Sequence, residues 1–236
     1  MKFFVIISAF LFVVSAVFAD SVTFDGQSDM DDGYTDGNNH TIARGTETWF
    51  YIMCGFSDCT YHGFLKFDLS GISGNIDSVS LKLHRHTPDD NPQLYFYRIT
   101  ADWTETEFTW DNAKTSPDTI AWTTGGGDYI DTKIDSLTNP GAKVYNENIY
   151  CQRGDGGGLT ELIQGWVDGT YDNYGMIIKS SLLGIGDTVY IYSTENFNET
   201  LYPRPKLYVE YTPDQSDSEN SYRRKIILEG QGVNKQ

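Results

Sequence analysis

The chain has 236 residues, with 17 Lys and Arg against 33 Asp and Glu, and a formal net charge of −16. That balance excludes the phosphate-neutralising chemistry that drives nucleic-acid binding, and it equally opposes docking on an anionic membrane. A 14 % aromatic content with 16 Tyr excludes a disordered acidic chain and supplies enough apolar material for a core of ordinary size.

Residues 1–19 read as a secretory signal peptide. Lys2 precedes an apolar run from Phe3 to Val14, and Ser15-Ala16-Val17-Phe18-Ala19 closes it with small residues at the −1 and −3 positions. The run is short for a membrane anchor and no positive flank follows it. Cleavage after Ala19 removes one lysine and 19 of the 236 residues, leaving 217 with a net charge of −17. No later stretch is apolar enough to span a bilayer, so the expected location is extracellular or at the cell surface.

The next segment, Asp29-Met30-Asp31-Asp32-Gly33-Tyr34-Thr35-Asp36, reads as an acidic loop. Its carboxylates Asp29, Asp31, Asp32 and Asp36 are hard oxygen ligands on a Gly-kinked stretch, which leaves two readings open: a calcium site without EF-hand spacing, or a solvated acidic loop. Export gives the cysteines meaning. Cys54 and Cys59 bracket Gly-Phe-Ser-Asp between two strand-like runs, 48–53 and 61–68, and such a hairpin brings two Cα atoms within disulfide range. Cys151 is left over, either buried or paired between chains.

From residue 64 onward the chain reads as short strands between Gly, Asn, Asp and Pro clusters: 64–69, 79–86, 94–100, 128–134, 144–151, 176–180, 188–193 and 206–212. Val79, Leu81 and Leu83 alternate with Ser80, Lys82, His84 and His86, the period of a half-buried strand. His84 and His86 share a strand face, but no third metal ligand is evident. One segment breaks the pattern, because Leu159, Leu162, Ile163, Trp166 and Val167 form a helical stripe that Gly169 is placed to end, with Asp155 in its cap region. Residues 111–141 are polar and carry no clear assignment. No G-x-S-x-G elbow or phosphate-binding loop is present. Asn39-His40-Thr41 and Asn198-Glu199-Thr200 fit the N-glycosylation pattern. Residues 213–236 carry balanced charge and few apolar residues, and read as a flexible tail.

Four stretches occur in the order of a known family. They are Gly63-Phe64-Leu65-Lys66-Phe67-Asp68-Leu69-Ser70 followed by Ile76 to Leu83; Trp103-Thr104-Glu105 through Thr109-Trp110-Asp111; the helix with Asn173-Tyr174-Gly175; and Tyr192-Ser193-Thr194-Glu195 followed by Arg204 to Tyr211. In these the chain resembles the DNRLRE-type domain, a carbohydrate-binding module related to the repeat of archaeal disaggregatase. The family's Arg before the FDLS strand is absent here. The resemblance implies an all-β, jelly-roll-like antiparallel β-sandwich with one short amphipathic helix, spanning 20–212. Trp103 and Trp110 then read as core or loop staples, and Glu105 and Glu195 as carboxylates accepting backbone N–H bonds rather than a glycosidase pair.

Three functions compete on this basis: a non-catalytic carbohydrate-binding or adhesion module, a structural envelope or matrix protein, and a polysaccharide-depolymerising enzyme. The third is disfavoured because the module occupies 20–212. Tyr95 and Tyr97, Tyr190 and Tyr192, and Tyr208 lie at alternate strand positions and are expected to form a glycan-stacking surface, the other reading being ordinary cross-strand pairs. The charge points to a neutral glycan, since a polyuronate needs a calcium bridge. Exported protein is expected to begin at Asp20, and its Cys54–Cys59 peptide to weigh two hydrogens less than the dithiol. Mass spectrometry reads both, and free thiols at both positions contradict the bridge.

Overall fold

The computed structural model describes residues 19–54, 59–84, 93–137, 148–152, 158–180, 188–196 and 203–214. The expected signal peptide but for Ala19, the tail beyond 214, Asp155, His86 and the sequon at Asn198 lie outside the described residues. Among the described residues, no helix is long and apolar enough to cross a membrane.

Two antiparallel sheets form the fold. The smaller has the order β1 (Asp20–Phe24), β13 (Lys206–Thr212), β5 (Asn75–His84), β10 (Asn148–Gln152). The larger runs β12 (Thr188–Tyr192), β3 (Trp49–Cys54), β4 (Cys59–Phe67), β11 (Met176–Ser180), β6 (Leu94–Arg98), β9 (Asp135–Leu137), with β2 (Met30–Asp36) paired to β4. A separate ribbon joins β7 (Asn112–Lys114) to β8 (Ile120–Ala121). The sheets face each other, because one apolar cluster holds Leu81, Leu83, Leu207 and Val209 from the smaller and Leu65, Phe96, Met176 and Ile178 from the larger. Period-two alternation produces this directly: Leu207 and Val209 are fully buried while Tyr208 between them is exposed. The expected all-β sandwich with one helix is the observed architecture.

The larger sheet is covered on both faces. Phe64 and Ile177, whose neighbours in β4 and β11 point into the sandwich, enter a second cluster with Ile99, Trp103, Phe108, Ala113 and Trp122. This is the role of the polar stretch that sequence left unassigned. Together with Trp103 and Phe108 from just before it, its Trp122 covers the outer face, the Trp103 indole donating to the Tyr174 carbonyl at 2.8 Å and that of Trp122 to the Thr109 carbonyl at 3.0 Å. Its polar residues close its own turns, as when Asp128 accepts the Thr123 and Thr124 N–H groups, each at 2.8 Å. Residues 128–134 were expected to be a strand; they form only an isolated bridge between Tyr129 and Ile99. Gly127 lies in this cover with φ +116°, and a Cβ there would stand 2.6 Å from the Phe64 ring.

Helix α1 (Leu159–Val167) forms where the apolar stripe predicts it, burying Leu159, Leu162, Ile163 and Trp166. Gly169 ends it at φ +73°. Its N-cap is Gly158, and the Asp155 expected in the cap region lies outside the described residues. Gln164 ties α1 to the sandwich, accepting the Ile76 N–H at 2.7 Å and donating to the Gly74 carbonyl at 3.1 Å.

The β3–β4 ladder sets Cys54 directly opposite Cys59. Facing antiparallel residues have Cα atoms about 4.5–5.5 Å apart, inside the span of a disulfide. No disulfide occurs among the described residues; both cysteine side chains lie outside them, and we propose the bridge from this register. Cys151 faces Leu81 across the β10–β5 ladder.

Burial pushes the His62 imidazole down to about 4, with Lys179 adding to the shift against the opposing bond between Nδ1 and the Gly126 carbonyl at 2.9 Å. An imidazole neutral in the fold and more basic in the unfolded chain stabilises fully above pH about 6.5 and loses that contribution as pH falls toward about 4. Thermal unfolding is therefore expected to shift downward across this window, and His62→Asn, which keeps an N–H donor, to flatten the slope by close to one proton. An unchanged slope contradicts this role.

Candidate functional site

Strand β2 supplies the polar framework. Of its seven residues only Asp31 escapes full burial, although the segment has almost no apolar character. The expected loop is thus a strand, and its pleat separates the four carboxylates proposed as calcium ligands. Asp29 folds back onto the N–H groups of Gly26 at 3.1 Å and Asp25 at 3.4 Å. Asp31 pairs with Lys66 at 2.7 Å. Asp32 is wholly buried, and Asp36 turns to the 37–44 segment. Asp29, Asp31, Asp32 and Asp36 do not converge on one point: Asp31 and Asp32 face opposite ways, Asp32 and Asp36 share a face but stand four strand residues apart, and Asp29 precedes the strand.

Asp36 organises a groove of about 500 Å³ lined by Tyr34, Asn39, Arg44, Glu47, Trp49, Tyr51, Met53, Tyr61 and Tyr190. Its carboxylate accepts from the backbone N–H groups of Asn38 at 2.9 Å and Asn39 at 3.1 Å, from the Asn39 amide at 3.0 Å and from Arg44 Nη2 at 3.0 Å. Burial raises its pKa, but these donors outweigh burial and hold it below the ordinary carboxylate value. Arg44 is fixed in turn by Glu47 at 3.1 Å and lies 5.8 Å from the Tyr34 ring centre.

The aromatic wall follows from strand periodicity. Phe50 and Ile52 fill the core, so the alternate residues Trp49, Tyr51 and Met53 face the groove. The β3–β12 register sets Tyr190 opposite Tyr51, with ring centres 4.7 Å apart in an edge contact. Tyr51 also meets Tyr34 at 4.9 Å and Tyr61 at 5.8 Å. Polar bonds hold two hydroxyls: Trp49 Nε1 donates to Tyr51 at 2.8 Å, and the Asn38 amide to Tyr61 at 2.9 Å. Trp49 remains 36 % exposed, so part of an indole stays open to solvent at the rim.

The five tyrosines expected to form the ligand surface do not share it. Strands β6 and β12 are separated by three others, and Tyr208 belongs to the opposite sheet. Tyr97 stacks on Tyr129 at 5.1 Å in the outer cluster, and Tyr95 lies under the Lys133 ammonium at 4.3 Å. Tyr192 is buried at 3 % exposure. Only Tyr190 lines the groove. Trp49, Tyr51 and Tyr61 were missed as site residues because the 48–53 and 61–68 runs were weighed only as flanks of the two cysteines. The period-two pattern Trp-Phe-Tyr-Ile-Met was present in the sequence.

A second polar cluster lies apart from the groove residues. Asp32, Glu105 and Glu195 each bring one carboxylate oxygen within 4.8 Å of the others. Glu105 Oε1 accepts the Asp32 N–H at 2.8 Å, and Asp32 Oδ2 accepts the Thr194 N–H at 2.8 Å. Backbone acceptance by Glu105 matches the sequence reading; its meeting with Asp32 and Glu195 could not be read from positions so far apart. Burial, then the Glu195 charge, raises Asp32 well above the usual carboxylate range, and burial pushes Glu105 up to about 7.

The model of carbohydrate-binding module family 96 matches residues 24–146, more than half of the chain. None of the curated proteins matches the chain. Asp36→Ala should remove the shared acceptor of two backbone N–H groups, the Asn39 amide and Arg44 Nη2, and destabilise the fold by about 3 kcal/mol in urea unfolding. A change below about 0.5 kcal/mol, the usual size at an ordinary surface position, contradicts the organising role.

Proposed function

The chain belongs to carbohydrate-binding module family 96, and from that premise we propose that it is a secreted, non-catalytic module that holds a neutral glycan in the groove bounded by Trp49, Tyr51 and Tyr190. The observation that carries this reading is the aromatic wall beside a fixed polar set. Sugar rings present apolar C–H faces to aromatic rings and hydroxyls to hydrogen-bonding groups, and sites of this kind combine many apolar surfaces with a few placed polar ones. Trp49 offers its open indole, Tyr51 and Tyr190 meet edge to face behind it, and Asn39, Arg44 and Glu47 stand opposite.

Charge supports the choice of ligand. Arg44 is engaged by both Asp36 and Glu47, leaving the groove with a net negative set of charges. A polyuronate meets repulsion there, while a neutral polysaccharide does not. Glu105 and Glu195, the carboxylates that could be read as a catalytic pair, are turned inward: Glu105 accepts the Asp32 N–H and Glu195 Oε2 is buried. Secretion rests on the signal-peptide pattern of residues 1–19.

In affinity electrophoresis through neutral polysaccharides, Trp49→Ala and Tyr190→Ala are expected to weaken retention about tenfold, or 1.4 kcal/mol. Tyr208→Ala, on the other sheet, serves as the control and should bind like the parent. If both groove variants retain the parent affinity while melting normally, the groove is not the binding face. A reducing-sugar assay on the same polysaccharides should stay at background, and release of sugar ends contradicts the non-catalytic assignment.

A further inference from the structure

We propose that Asp32, Glu105 and Glu195 form a binding site for one divalent cation of the calcium class, which joins three separate parts of the fold. The inference is independent of the glycan groove. The first observation is spacing. One oxygen from each carboxylate lies within 4.8 Å of the others. Oxygens sharing one calcium at about 2.3–2.6 Å can be no more than about 5 Å apart, so the three fit around a single ion.

The second observation is an unpartnered buried oxygen. Asp32 has 0 % exposure, and although its Oδ2 is bonded to the Thr194 N–H, its Oδ1 has no hydrogen-bond partner. Glu195 Oε2 is likewise buried without a partner. A buried acceptor left unpaired costs on the order of 1–3 kcal/mol, and more when it is charged. No Lys or Arg among the described residues forms an ion pair with any of the three carboxylates. Lys66, whose charge is felt at Glu105, is held by Asp31 at 2.7 Å. Three carboxylates converge where only a cation or protons can balance them.

The donor chemistry selects the ion. All three ligands are carboxylates, with no imidazole or thiolate, which suits a hard cation. Magnesium is usually bound through one or two carboxylates and retains several waters, whereas calcium accepts a larger and less regular oxygen set. The positions are fixed before any ion arrives: Asp32 by its place in β2, Glu105 by its bond to the Asp32 N–H, and Glu195 by its place directly after Thr194, whose N–H is bonded to Asp32. Close packing sets Glu105 further, since a Cβ at Gly45 would stand 1.8 Å from the Glu105 carbonyl oxygen. An ion here links the inner sheet, the segment covering its outer face and the end of β12.

The test uses the full exported chain, stripped with a chelator and shown calcium-free by elemental analysis, then titrated with calcium chloride by calorimetry and melted with and without the salt. The parent is expected to take up one equivalent and to melt roughly 5–10 °C higher at a hundredfold excess over Kd. Asp29→Asn, whose carboxylate is bonded to the Gly26 and Asp25 N–H groups away from the cluster, should keep both effects. Asp32→Asn and Glu195→Gln should lose most of the increment. Glu195 is only partly buried, so its variant decides the matter if Asp32→Asn does not fold. Absence of uptake by the parent overturns the proposal, and so does an increment that survives unchanged in Glu195→Gln, which places the ion elsewhere.

Discussion

Strand β2 lies in a sheet that is covered on both faces, and it carries two aspartates, Asp32 and Asp36, into that interior and a third, Asp31, to its margin. Burying a carboxylate is expensive unless hydrogen bonds or opposite charge balance it. Each aspartate of the strand meets this demand differently, and the consequences shape much of the molecule. Asp31 takes the ammonium of Lys66. Asp36 collects two backbone N–H groups, an amide and a guanidinium, and in doing so folds the 37–44 segment into one wall of the groove. Asp32 meets two glutamates instead of a cation.

Double coverage also explains where aromatic residues go. The inner face takes aliphatic residues with Phe67 and Phe96, and the outer face takes Phe64 beneath Trp103, Phe108 and Trp122. The rings in the cover make T-shaped or tilted contacts, as in the 4.7 Å pair of Trp103 and Phe108, and their indole N–H groups are satisfied by carbonyls. The β3–β12 ladder lies outside that outer cluster, and there Trp49, Tyr51 and Tyr190 line the groove. The binding face proposed above is aromatic surface that the core did not absorb.

Regular alternation made the sandwich legible in sequence: Val79, Leu81 and Leu83 in β5, and Leu207 and Val209 in β13, fall on the core face as the period of two requires. The stripe from Leu159 to Val167 likewise located the helix. Strand β2 was illegible because its pairing is set by β4 and its polar residues are stabilised by partners up to 162 positions away. The tyrosine pattern showed which side chains share a strand face, but not which strands are neighbours, and so Tyr95, Tyr97 and Tyr208 were grouped with Tyr190 across strands that do not pair, while Tyr192, on the same strand as Tyr190, is buried. Neighbour relations between strands come from topology, to which periodicity is blind.

The groove assignment rests on the Trp49 indole, which is 36 % exposed while those of Trp103, Trp122 and Trp166 are buried. The most direct measurement is the set of indole Nε1–H resonances in a ¹⁵N-labelled protein titrated with a neutral oligosaccharide. The Trp49 signal should shift progressively to saturation, while those of Trp103 and Trp122, bonded to backbone carbonyls within the cover, stay in place. A bound oligosaccharide that leaves Trp49 unmoved would contradict the account.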